Sequence, residues 1–72
     1  MTKDYIIAFD AGGTRLKVCV MDSSEQVLKT FHTPSNASAG ADALFTAMVN
    51  SVEKITAELG GDLLGIGLSL SG

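Results

Sequence analysis

Seventy-two residues leave room for one small domain, and 46% hydrophobic against 18% charged residues describe a globular interior. Disorder needs the opposite balance, low hydrophobicity with high net charge. A net charge of −3 without any cluster of Lys or Arg excludes the electrostatic footprint of a nucleic-acid binder.

Cys19 is the only cysteine, so no internal disulfide and no zinc cluster can form; in the middle of an apolar strand it reads as a small buried hydrophobe. The N-terminus, Met1-Thr2-Lys3-Asp4, is charged. The apolar run behind it lasts about five residues, short of a signal-peptide core (~7–15) or a membrane span (~20). A cytoplasmic setting without a membrane partner is expected. Asn36-Ala37-Ser38 spells a glycosylation sequon, which without a secretory signal reads as chance.

Residues 5–10 form a continuous apolar run, which predicts a strand covered on both faces. Residues 16–21 form a second such run, and between the two stand Asp10-Ala11-Gly12-Gly13-Thr14-Arg15. This is a β-hairpin layout. Gly12 and Gly13 tolerate positive φ and, lacking Cβ, let an anion approach the main chain. Successive N–H groups in such a turn make an anion-binding concavity, to which the Thr14 hydroxyl adds a donor. Asp10 repels phosphate directly, but through water it can hold magnesium, which binds through one or two carboxylates and keeps several waters. An ordinary Gly-Gly hairpin with Asp10 as a turn residue fits the same spacing.

Asp22-Ser23-Ser24-Glu25 is a polar turn, and residues 26–33 read as a third strand with one wet face, near a sheet edge. His32 falls there as a solvent-side residue. Residues 33–40 form a loop around the single proline, Pro34. A helix is predicted over residues 41–59. Leu44, Met48, Val52, Ile55 and Leu59 make its apolar stripe, widened by Phe45 and Val49 and read as core packing. Asp42 favours the positive end of the helix dipole, Gly60-Gly61 supplies the stop, and Glu53 and Glu58 sit on the polar face. Residues 63–70 are a final apolar strand, parallel to the first because a helix intervenes. The expected fold is α/β: strand order 3-2-1-4 with one crossover helix. One helix cannot cover both faces of that sheet, and the fourth strand keeps an open apolar edge, so the layer is incomplete.

Asp10-Ala11-Gly12-Gly13-Thr14-Arg15-Leu16-Lys17 fits D-x-G-G-T-x-x-K, the first phosphate motif of the actin-like ATPase and sugar kinase superfamily. Asp22 after the second strand, the amphipathic helix and the Gly-rich closing strand extend the likeness over the chain, which most resembles the N-terminus of the ROK (repressor, ORF, kinase) sugar kinases. The resemblance implies a ribonuclease-H-like layer, with residues 1–72 as the N-terminal part of a ROK-type kinase domain in a family of much longer chains. It implies transfer of the ATP γ-phosphoryl group to a hexose or amino-sugar hydroxyl. Gly12, Gly13, Thr14 and Lys17 would meet the phosphates, and Asp10 would organise Mg2+ through water. The catalytic base and the sugar-binding and zinc motifs are expected downstream, so this segment by itself would not turn over; the full-length relative would be a homo-oligomer. Ser71-Gly72 stands where the family often has Pro-Gly.

Competing motifs fail. No Gly-Lys pair exists for a Walker loop, and Gly65-Ile66-Gly67 lacks the third dinucleotide glycine. Gly67-Leu68-Ser69-Leu70-Ser71 misses the last glycine of a hydrolase elbow, leaving Ser69 as a small residue at a strand end. The hairpin alone also fits a pantothenate-kinase-like or activator ATPase. A ROK-type sugar-sensing transcriptional regulator would carry a DNA-binding module ahead of the motif, where nine residues precede Asp10. A small structural protein without activity is the remaining alternative.

Overall fold

A computed structural model of the chain describes residues 4–35 and 39–70. The sequon, the first three residues and Ser71-Gly72 lie outside the described residues. Four strands, β1 (Asp4–Ala11), β2 (Arg15–Asp22), β3 (Val27–Pro34) and β4 (Asp62–Leu70), and one helix, α1 (Ala41–Leu59), make an α/β unit. The sheet is mixed, in the order β3-β2-β1-β4. β2 is antiparallel to both its neighbours, and β4 runs parallel to β1. Strand order and helix limits match the expectation. Pro34 closes β3 instead of opening the loop, a position a prolyl nitrogen accepts at the end of an edge strand.

The core occupies one face of the sheet. Tyr5, Ile7, Phe9 and Ala11 of β1 alternate inward with Leu16, Val18 and Val20 of β2, and Ile55 of α1 closes over them. Leu44, Ala47, Met48 and Val52 continue the helix side, and Leu28 and Phe31 come from β3. Ser51 is buried on this helix face because its hydroxyl donates to the Ala47 carbonyl at 2.9 Å, which satisfies it within its own helix.

The structure departs from four sequence expectations. β1 is covered on one face only: Ile6 points to the other side and is 38% exposed. The apolar run could not reveal this, because an apolar residue on an uncovered face looks like one in the core. Cys19 alternates to that same uncovered face and is half-buried, with Thr30 Oγ1 4.0 Å from its sulfur. Phe45 and Leu59 leave the packed stripe, at 66% and 38% exposed, because the helix contact runs through Leu44, Met48, Val52 and Ile55. Among the described residues the positive-φ glycines are Gly40 and Gly60, so the hairpin turn makes no use of that freedom at Gly12 or Gly13.

The remaining boundaries follow local chemistry. Gly60 ends α1 in the left-handed conformation and donates its N–H to the Thr56 carbonyl at 3.0 Å. Gly40 at φ 113 opens the helix without a side-chain cap. The β2–β3 turn is organised by Asp22, whose Oδ1 accepts the N–H groups of Ser24 at 2.9 Å and Gln26 at 3.0 Å. Glu25 takes φ 65 to complete that turn.

β4 is an edge strand. A register irregularity between Tyr5 and Ile6 leaves Leu64 without a β1 partner and pairs Ile66, Leu68 and Leu70 with Ile7, Phe9 and Ala11. Those three leucine and isoleucine side chains are exposed, and with Leu44, Phe45 and Met48 the last two border an apolar hollow of about 530 Å³. Gly65, Gly67 and Ser69 fall on the opposite, uncovered face beside Ile6, Ala8 and Asp10. Among the described residues no helix is long and apolar enough to cross a membrane.

Candidate phosphate-binding hairpin

The turn between β1 and β2 is closed by the Gly12 N–H donating to the Arg15 carbonyl at 2.9 Å, with Gly13 and Thr14 at its tip. Two turn residues are the commonest hairpin connection, and they fix the pairing of the strands they join. Asp10 therefore lies opposite Lys17, and Ala11 opposite Leu16. The neighbouring strands continue the row: Ser69 of β4 is paired with Asp10, and His32 of β3 with Lys17. Ser69, Asp10, Lys17 and His32 thus cross the uncovered face in one line, just below the turn.

Asp10, Gly12, Arg15, Lys17 and His32 together line an open hollow of about 210 Å³. Thr14 borders a second hollow of about 300 Å³ with Arg15, His32, Thr33 and Pro34. The sheet brings Asp10, Gly12 and Lys17 to one place, with Thr14 on the adjoining rim and Gly13 at the turn's apex. Opposite charges directly across an antiparallel pair attract. Even so, Asp10 and Lys17 close no ion pair, and the pair formed among the described residues is Lys29–Glu58, far along the sheet. The Asp10 carboxylate and the Lys17 ammonium are both left open to an incoming group.

Gly13 is not explained by the fold. It needs no positive φ, and a Cβ built there would meet nothing within 4 Å. The same holds for Gly65 and Gly67 on the uncovered face of β4. A glycine that neither backbone conformation nor packing requires is the residue found where another group must approach the main chain closely.

For magnesium, the site supplies one carboxylate with its oxygens open; no group of three or more His, Cys, Asp or Glu is gathered among the described residues. Dense all-protein ligation is thereby excluded within those residues, while the sparse, water-rich ligation usual for magnesium fits. Arg15 and His32 were not among the sequence candidates for this site. Arg15 is the motif's variable position, and His32 reaches the hollow only through the β2–β3 register. A signal existed in the turn lengths, but the register irregularity between Val20 and Met21 keeps the Asp22 turn alone from fixing the His32–Lys17 pairing.

No family model matches the chain, and no curated protein matches it either.

Proposed function

We propose that this chain is the phosphate-binding N-terminal part of a sugar kinase of the ROK type, built on a ribonuclease-H-like layer. The observation that carries the reading is a carboxylate and an ammonium left unpaired in one hollow beneath a turn whose Gly13 nothing in the fold demands. The substrates would be ATP and a hexose or amino sugar.

Phosphoryl transfer asks the protein mainly for positioning and charge neutralisation. Mg2+, held through water by Asp10, would supply charge neutralisation at the phosphate oxygens. Lys17 adds a cation beside those oxygens, and Asp10 orients the metal's water shell by accepting hydrogen bonds from it. The turn offers backbone N–H groups: among the described residues those of Gly13 and Thr14 donate to no protein acceptor. Arg15, across the same hollow, is a second cation within reach of a phosphate chain. The acceptor of the sugar's proton, the sugar pocket and the adenosine pocket belong to other parts of such an enzyme. The segment by itself binds MgATP weakly and does not turn over.

The test is an amide-resolved NMR titration of MgATP into the chain. Shifts should concentrate at Gly13, Thr14 and Arg15. Asp10→Ala should weaken the magnesium-dependent part about tenfold, the scale of one charged hydrogen-bond set. In the full-length protein the same substitution should depress ATP-dependent sugar phosphorylation. Shifts that avoid the hairpin would remove the kinase reading, and unchanged turnover at limiting magnesium would remove Asp10 from it.

A further inference from the structure

The residue after β3, Ser35, is fully buried, although it is polar and follows an edge strand. Its backbone N–H donates to the Thr14 carbonyl at 3.2 Å, and its hydroxyl donates to the Gly13 carbonyl at 3.3 Å. One residue therefore holds two successive carbonyls of the turn from the next hairpin along.

The consequence lies in the peptide units. No cis peptide occurs among the described residues. In a trans unit the N–H points opposite to the C=O. Pinning the Gly13 carbonyl to Ser35 turns the Thr14 N–H away from it, and pinning the Thr14 carbonyl does the same to the Arg15 N–H. Ser35 belongs to the covered side: it pairs across from Thr14 in the register where Thr33 and Phe31 pair with Leu16 and Val18, and those two are core residues. The Thr14 N–H is thereby directed toward the uncovered face, where Asp10, Lys17 and His32 stand.

We propose that Ser35 is a positioning residue for the phosphate turn, orienting the peptide N–H groups of Thr14 and Arg15 for an incoming phosphate by occupying the carbonyls on their far side. The proposal rests on the phosphate-binding reading of the hairpin. Ser35 touches no phosphate itself. Its effect is preorganisation: without it, the two peptides can rotate, and binding must order them at its own cost. Carbonyl oxygens left free to swing into the site would also repel a phosphate.

The experiment titrates MgATP, and separately inorganic phosphate, into the wild-type chain, Ser35→Ala and Ser35→Thr, following the Thr14 and Arg15 amide resonances. S35A should bind MgATP about three- to tenfold more weakly, the range of one neutral hydrogen bond. Its free-state Thr14 amide should also move toward the unbound-turn average. S35T keeps the hydroxyl and should restore both. Should S35A not fold, Ser35→Cys, of similar size and with only a weak donor, carries the same comparison. A folded S35A or S35C that binds as wild type, or S35T as weak as S35A, overturns the positioning role while leaving the hairpin reading intact. Wild-type binding away from the hairpin overturns both.

Discussion

The two faces of this sheet are made by the same strands and obey different rules. On the helix side, Tyr5, Ile7, Phe9, Leu16, Val18 and Val20 are packed to nearly zero exposure. Each is there because a neighbour fills the space beside it. On the other side, Ile6, Ala8, Asp10, Lys17, Cys19, Gly65 and Gly67 alternate with those residues and have no layer over them. Packing within this chain explains the apolar atoms of the first set, though not the Tyr5 hydroxyl, which among the described residues is buried without a hydrogen-bond partner; it does not explain the second. Residues that folding does not explain are where function is sought, and the unpaired Asp10 and Lys17 and the unexplained Gly13 all lie on or beside the uncovered face.

Adjacent isoleucines put that contrast to its strongest test. Ile7→Ala empties a filled core position and should cost about 2–5 kcal/mol, enough to unfold much of so small a domain. Ile6→Ala, one residue away on the uncovered face, should cost less than about 1 kcal/mol, because much of its side chain already meets water. Urea denaturation of both variants decides it. Equal losses would mean that the second face is covered in solution, by another copy or another segment, and the contrast would dissolve.

Gly13 sharpens the comparison with effects of opposite sign. With no positive φ and open space around it, Gly13→Ala should stabilise the fold by about 0.4–1 kcal/mol through the unfolded chain. The same methyl should obstruct a phosphate approaching the turn and weaken MgATP binding several-fold. Thermal melts and the amide titration read the two effects separately. A variant that is more stable and binds equally well would show that the glycine serves no ligand.

Much of this architecture was legible in the sequence, because apolar runs, the Gly60 stop and the Asp22 turn each act locally. The helix limits and the strand order followed from them. Which face of each strand is covered did not, because an apolar residue such as Ile6 or Phe45 carries no mark of whether its neighbour belongs to this chain. The site was legible in part. Asp10, Gly12 and Lys17 meet because a tight hairpin brings its own ends together. His32 and Ser35 come to the turn through a second hairpin, and a register irregularity between Val20 and Met21 lies on that route. Cross-strand partners accumulate such shifts, so residues distant in sequence are the last to be placed.

The smallest effect tests how far the covered side owes its stability to anything except packing. Glu58 of α1 accepts a hydrogen bond from Lys29 of β3, tying the helix to the edge strand. That hydrogen bond, then the charge of Lys29, and lastly the charge of Lys54 hold the Glu58 carboxyl below its ordinary pKa against an opposing desolvation. A carboxyl lowered by folding contributes stability above its unfolded pKa and loses it as pH falls through the folded value. Wild type should therefore exceed Glu58→Gln in melting temperature by a small margin at pH 7. The margin should shrink once pH drops below the ordinary carboxylate range of about 4–4.5 and vanish below the lowered value. Because the carboxylate stands in solvent, high salt at neutral pH should erase most of the margin as well. No margin at pH 7 and low salt would show that the charge of Glu58 adds nothing to the fold's stability. Packing would then explain that whole face without help from charge.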